Sequence, residues 1–109
     1  MIRVIYILLT LFSISFAAVT VGTNGNYHFT TIQAAIDSVT SNPIDTEINV
    51  YPGTYQENLI IESDMVILSM GDATNTIIDG SQGRGFGSTV VIRPSSGSPS
   101  KPDVEIDGF

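Results

Sequence analysis

The stretch NVYPGTYQENLII, residues 49–61, sets two short apolar runs on either side of a Pro-Gly corner, and the second run opens on the polar cluster Gln56-Glu57-Asn58. A Pro-Gly corner bends a chain, but the tightest hairpins join their strands through an Asn-Gly or Asp-Gly pair, which is absent at this position. Beyond Pro43 the same style continues: apolar residues alternate or cluster in fours and fives between Gly, Asp, Asn, Ser and Pro. That pattern predicts strands near 47–51, 58–62, 65–70, 76–79, 89–93 and 103–107. The connectors Pro52-Gly53-Thr54-Tyr55, Ser63-Asp64 and Gly71-Asp72-Ala73-Thr74-Asn75 suit corners that turn the chain without reversing it.

Short strands with tight turns fit a sandwich, a barrel or a coil of parallel strands. Two features favour the coil. Hairpin chemistry is missing between the alternating strands, and Ile-Asp-Gly occurs at 78–80 and again at 106–108, a separation of 28 residues that falls within the range of solenoid repeats. In such a coil each strand pairs with the one a full turn away, and inward side chains pile into aliphatic columns. The expected inward pairs are Ile48 and Val50, Leu59 and Ile61, Val66 and Leu68, Val90 and Ile92, and Val104 and Ile106. Ile60, Ile67, Ile78 and Val91 break this alternation, so their strands need an outer cover or a different parity.

Upstream, TTIQAAIDSVTSNP carries the marks of one helix over 31–41. Thr30 is placed to cap it, Gln33 to complete a capping box, Ile32, Ala35, Ile36 and Val39 recur at helical spacing, and Asn42-Pro43 ends it. About three turns are marginal alone in water, so this helix is expected to lie over the first coil and cover its column end and unpaired edges. No equivalent cover follows Val104-Glu105-Ile106-Asp107-Gly108-Phe109, so 44–109 reads as the first coils of a longer, truncated solenoid, with 18–43 as extension and capping helix.

Residues 1–17, MIRVIYILLTLFSISFA, place Arg3 before an apolar run of thirteen residues and end on small side chains, the form of a secretory signal peptide cut after Ala17. The run is shorter than the roughly 20 residues of a membrane-spanning helix. Beyond Ala17, three basic residues stand against eleven acids, a formal charge of −8, which repels phosphate backbones and argues against a nucleic-acid partner. With no cysteine, neither disulfides nor thiolate metal sites can hold an exported domain together.

The order Gly25-Asn26-Tyr27-His28-Phe29-Thr30-Thr31-Ile32-Gln33-Ala34-Ala35-Ile36-Asp37, then Asn49-Val50-Tyr51-Pro52-Gly53-Thr54-Tyr55-Gln56-Glu57-Asn58-Leu59, then 66–71 and 76–80, resembles the amino-terminal part of right-handed parallel β-helix proteins of the pectin lyase-like superfamily. Pectin methylesterases and many exported bacterial β-helix proteins open in a similar way. The resemblance implies a mainly β, right-handed parallel β-helix with an amphipathic capping helix. It also implies that the paired aspartates, arginine and glutamines of the esterases would fall beyond residue 109, and no segment here matches those motifs.

Within the chain, Gln56-Glu57-Asn58 offers a carboxylate and two amides suited either to orienting a water or sugar hydroxyl or to satisfying backbone donors at a corner; no second acid or base at fixed spacing completes an acid–base pair. His28, the only histidine, lacks a second His or Cys with which to bind a metal. Asp79 and Asp107, if stacked on neighbouring coils, would suit calcium, although Asp before Gly is also a common turn former. Gly83-Arg84-Gly85-Phe86-Gly87 lacks the Lys-Ser/Thr ending of a phosphate loop and reads as a surface loop with a ring suited to stacking on sugar, and 95–102 reads as a polar excursion. No residue is assigned as catalytic, cofactor-binding or metal-ligating. The expectation is a secreted or cell-surface scaffold, or a periplasmic one, serving recognition of polysaccharide or cell-surface glycan; the alternatives are a carbohydrate-active enzyme, pectin methylesterase first and polysaccharide lyase second, or a structural adhesin or stalk.

Overall fold

The computed structural model describes residues 18–44, 46–82 and 88–109. The expected signal segment, 1–17, and the loop at 83–87 lie outside them. Among these described residues the strands are β1 (Val19–Val21), β2 (Glu47–Val50), β3 (Gly53–Tyr55), β4 (Leu59–Ile61), β5 (Met65–Ser69), β6 (Thr76–Ile78), β7 (Val90–Ile92) and β8 (Val104–Asp107), with one α-helix, α1 (Ile32–Ser41), between β1 and β2. The protein is mainly β, built of short parallel sheets. Six strands match the sequence expectation. The other two, β1 and β3, lie in the extension and inside the Pro52-Gly53-Thr54-Tyr55 corner, where three residues are too few to show a period.

One sheet has the order β1-β2-β5-β8, and two smaller sheets pair β3 with β6 and β4 with β7. From β2 onward the chain therefore visits the three sheets in turn, then repeats the circuit. Every strand pairing among the described residues is parallel. Register puts like side chains over one another: Val19 pairs with Ile48, Ile48 with Ile67, and Ile67 with Ile106. The second sheet stacks Tyr55 on Ile78, and the third stacks Leu59 on Val90.

The interval between partners is not constant. Glu47 pairs with Val66, nineteen residues on, Gly53 with Thr76, twenty-three on, Leu59 with Val90, thirty-one on, and Met65 with Val104, thirty-nine on. The lengthening lies in the connectors: two residues separate β2 from β3 but six separate β5 from β6, and gaps of three residues after β3 and β4 become gaps of eleven after β6 and β7. The 28-residue spacing of Ile-Asp-Gly is thus not a structural repeat. Ile78 pairs with Tyr55 in one sheet and Ile106 with Ile67 in another.

The inner side is apolar, with Ile48, Val50, Leu59, Ile61, Met65 and Ile67 buried. Burial of this kind contributes about 1.5–3 kcal/mol per large aliphatic side chain. The expected inward pairs hold for β2 and β4, but β5 has the opposite parity: Met65 and Ile67 face in, and Val66 and Leu68 are half-buried on the other side. Its run Met65-Val66-Ile67-Leu68 is apolar at every position, so alternation gave no purchase, and the ladder to Ile48 and Ile106 decides the parity instead. Val90, Val104 and Ile106 pack partly against the core, whereas Ile92 at 38% exposure is largely open. Ile60 and Ile77 face outward at 41% and 40% exposure.

Helix α1 buries Ile32, Ala35, Ile36 and Val39 in the same core and packs against β1, β2 and β4. Its apolar stripe matches the expected spacing. The cap does not: Thr31, not Thr30, is the N-cap, with its hydroxyl oxygen accepting from Ala34 N at 3.3 Å. Beyond β1, Phe29 adds one parallel bridge to Val21, so that edge of the large sheet is partly covered too. One buried polar atom, Asn49 Oδ1, has no hydrogen-bond partner among the described residues, and nothing in the structure explains it.

Candidate functional site

The Gln56-Glu57-Asn58 cluster sits where the chain passes from β3 to β4, beside the N-terminus of α1. The first N–H groups of a helix have no partner within it and carry partial positive charge. Glu57 answers both demands: Oε2 accepts from Ile32 N at 2.8 Å, and Oε1 from Gln33 N at 3.0 Å. Its carboxylate is therefore a cap supplied from 25 residues away in sequence. Both oxygens are engaged by backbone donors, which leaves the carboxylate poorly placed to take a proton from a substrate. Asn58 Nδ2 donates to Ser88 O at 2.9 Å and ties the corner to the approach of β7; Gln56 is exposed.

Gln33 does not close a capping box. Its carboxamide lies against the edge of β4, where Oε1 accepts from Ile60 N at 2.9 Å and Nε2 donates to Ile60 O at 3.1 Å. A primary amide carries the donor and acceptor of a peptide group, so Gln33 stands in for the missing neighbour strand. Nε2 also donates to Asp37 Oδ1 at 2.9 Å, one helical turn on.

His28 is likewise committed to the backbone. Its Nδ1 accepts from Thr20 N at 3.1 Å while its own N–H donates to Thr20 Oγ1 at 3.1 Å, a reciprocal pair that holds the 22–28 loop to β1. Tyr27 stacks on Tyr51 with ring centroids 4.6 Å apart, and its ring fills the space that a side chain on Gly22 would need. Tyr55 is buried and donates its hydroxyl to Tyr51 O at 2.6 Å across the Pro-Gly corner. Burial, and then the neighbouring Tyr27 and Glu57, push the Tyr55 phenol above its ordinary range.

Asp79 and Asp107 do not stack, because Asp79 follows β6 in one small sheet and Asp107 pairs with Leu68 in the large one. The calcium arrangement is thereby contradicted. Asp79 is instead a turn former whose carboxyl is held below the usual carboxylate range by the Ser81 hydroxyl and N–H. Asp72 plays the same part at the corner between β5 and β6, where the Thr74 hydroxyl and then its N–H lower the carboxyl. A shallow groove lies at the starts of β5 and β8, lined by Thr46, Asp64, Met65, Val66, Asp103 and Glu105. Asp64 Oδ1 in it accepts from Asp103 N at 2.7 Å, again a backbone bond. Among the described residues no three His, Cys, Asp or Glu side chains gather as a metal site, and no helix is long and apolar enough to cross a membrane.

The one ion pair among these residues, Arg93 Nε to Glu62 Oε1 at 2.7 Å, is solvent-exposed and links the ends of β4 and β7. Such pairs contribute about 0–1 kcal/mol. Sequence reasoning found Glu57 but not its partner, since nothing local announces a cap from so far away, and it gave Gln33 the wrong task. No family model matches the chain, and searches of curated proteins and of solved structures give no match either.

Proposed function

We propose that the chain forms helix-capped coils of a right-handed parallel β-helix in an exported protein, and that this region is scaffold for recognition of extracellular polysaccharide or cell-surface glycan. The observation that carries the reading is the circuit of three sheets visited in turn with parallel pairing throughout. Such winding lays successive strands on one another and presents long outer faces, a form suited to extended polymers. The signal-like residues 1–17 and the resemblance to pectin lyase-like proteins support export and a carbohydrate partner.

Commitment of the polar side chains supports a scaffold over a catalytic centre. Glu57, Asn58, His28, Asp64, Asp72 and Asp79 each hold backbone groups in place. The acidic surface favours neutral or amino-bearing sugars over strongly anionic polymers. The test is a glycan and polysaccharide array with the secreted protein, covering neutral, amino-bearing and anionic polymers. Saturable binding to a polysaccharide supports the reading; binding to none overturns recognition and leaves a structural role.

A further inference from the structure

We propose that Asn24 is a site of spontaneous covalent modification, converting through a cyclic imide to aspartate and isoaspartate ahead of every other described asparagine. In this reaction the Gly25 main-chain nitrogen gives its proton to hydroxide and attacks Asn24 Cγ. A Gly25 N–Cγ bond forms, water returns a proton to Nδ2 and so regenerates the hydroxide, the Cγ–Nδ2 bond breaks, and ammonia leaves. Water then opens the five-membered imide: attack at Cγ gives aspartate, and attack at the Asn24 main-chain carbonyl carbon gives isoaspartate, with the backbone lengthened by one methylene.

Ring closure needs an accessible nitrogen, a close approach of that nitrogen to Cγ, and help for the oxygen that becomes negative. The 22–28 loop supplies the first and the third, and the adjoining Asn24-Gly25 sequence, with no side chain on Gly25, leaves the second open. Residues 23–26 are all exposed, and a Cβ placed on Gly25 would meet nothing within 4 Å, so the approach is open. Asn24 Oδ1 accepts from Asn26 N at 3.0 Å, which turns the side chain toward the chain that follows it and aims an N–H at the developing oxyanion. Among the described residues no hydrogen bond occupies Gly25 N–H.

The other asparagines lack this combination. Asn42 precedes Pro43, which has no N–H to attack with. After Asn58 the Leu59 N–H is bound to Thr89 O at 2.8 Å, and after Asn75 the Thr76 N–H is bound to Asp72 O at 2.9 Å. Asn49 lies inside β2, paired on both sides. Asn26 precedes Tyr27, whose ring is pinned on Tyr51.

The experiment ages the whole protein in mildly alkaline buffer and follows each asparagine by peptide mass spectrometry, with isoaspartate scored by enzymatic methyl transfer. The expected result is loss of the Asn24 amide before any other, with isoaspartate among the products. Gly25→Ala, which meets no clash and needs no left-handed backbone, slows the loss by roughly tenfold or more because a side chain now crowds the attacking nitrogen. Earlier conversion at another described asparagine, equal ageing of Gly25→Ala, or an Asn24 amide that survives in the folded protein while converting in urea would each overturn the proposal.

Discussion

In the middle of the large sheet, Ile48 and Ile67 have partners on both sides of their column and are fully buried; at its β8 edge Ile106 continues the same column and is only half-buried, as Val19 is at the β1 edge. The residue type and the register are the same. Coverage differs, and that difference shows what closes a stack of strands. Near β1, α1 brings four buried apolar side chains, Glu57 ties its N-terminus to the corner, and Gln33 supplies a substitute peptide group for the edge of β4. At the opposite edges, β6, β7 and β8 each have one strand neighbour among the described residues, and the inward Ile92 is 38% exposed. Apolar stacking extends the sheets, whereas directed hydrogen bonds finish an edge.

The sharpest way to break this contrast is to cut one column at two heights. Ile48→Ala leaves a cavity in a packed interior and is expected to cost about 2–5 kcal/mol, while Ile106→Ala, partly solvated already, is expected to cost about 1 kcal/mol. Chemical denaturation of both variants checks this, and equal losses would mean that the interior of the column and its β8 edge are equally covered. Next in size is the cap from a distance. Glu57→Ala orphans two helix N–H groups and removes a charge from the helix N-terminus, with an expected loss of about 1–2 kcal/mol; Glu57→Gln, which keeps one acceptor, is expected to lose less. Helical circular dichroism near the melting midpoint reads whether α1 loosens first.

Smaller again is the edge of β4. Gln33→Ala exposes both main-chain groups of Ile60 to water and is expected to cost about 0.5–1.5 kcal/mol. Faster hydrogen exchange at Ile60 N–H, with little change in β7, identifies the effect as local. The corners give the mildest response. Asp72 and Asp79 have carboxyls lowered by hydrogen bonds from Thr74 and Ser81, so their contribution is present above the ordinary aspartate range and is lost as pH falls through their lowered folded values. Asp72→Asn and Asp79→Asn are expected to flatten the acid limb of a stability–pH curve. Tyr55 has the opposite sign: its raised phenol keeps the fold stable below the ordinary tyrosine range, and stability falls as pH rises through its folded value.

Much of this architecture is legible in the sequence because period and chemistry agree there. Ile32, Ala35, Ile36 and Val39 show a helical stripe, and Ile48 with Val50 and Leu59 with Ile61 show alternation, each matched by burial. Legibility failed where the information is not local. Met65-Val66-Ile67-Leu68 is apolar throughout, so only its neighbours in space fix which side faces in. Gly53-Thr54-Tyr55 is too short to look like a strand until β6 lies beside it. The repeated Ile-Asp-Gly misled because the connectors lengthen from one circuit to the next, which shifts the second copy into another sheet. For the polar cluster, residue type alone allowed catalysis or capping, and two bonds to the helix N-terminus favour capping.

The stacking of parallel strands can be tested directly by methyl and amide nuclear Overhauser contacts in isotope-labelled protein. The account requires a chain of contacts from Val19 to Ile48, Ile48 to Ile67 and Ile67 to Ile106, together with Leu59 to Val90 and Tyr55 to Ile78. Antiparallel contacts between sequence neighbours, β2 with β3 or β4 with β5, would contradict it.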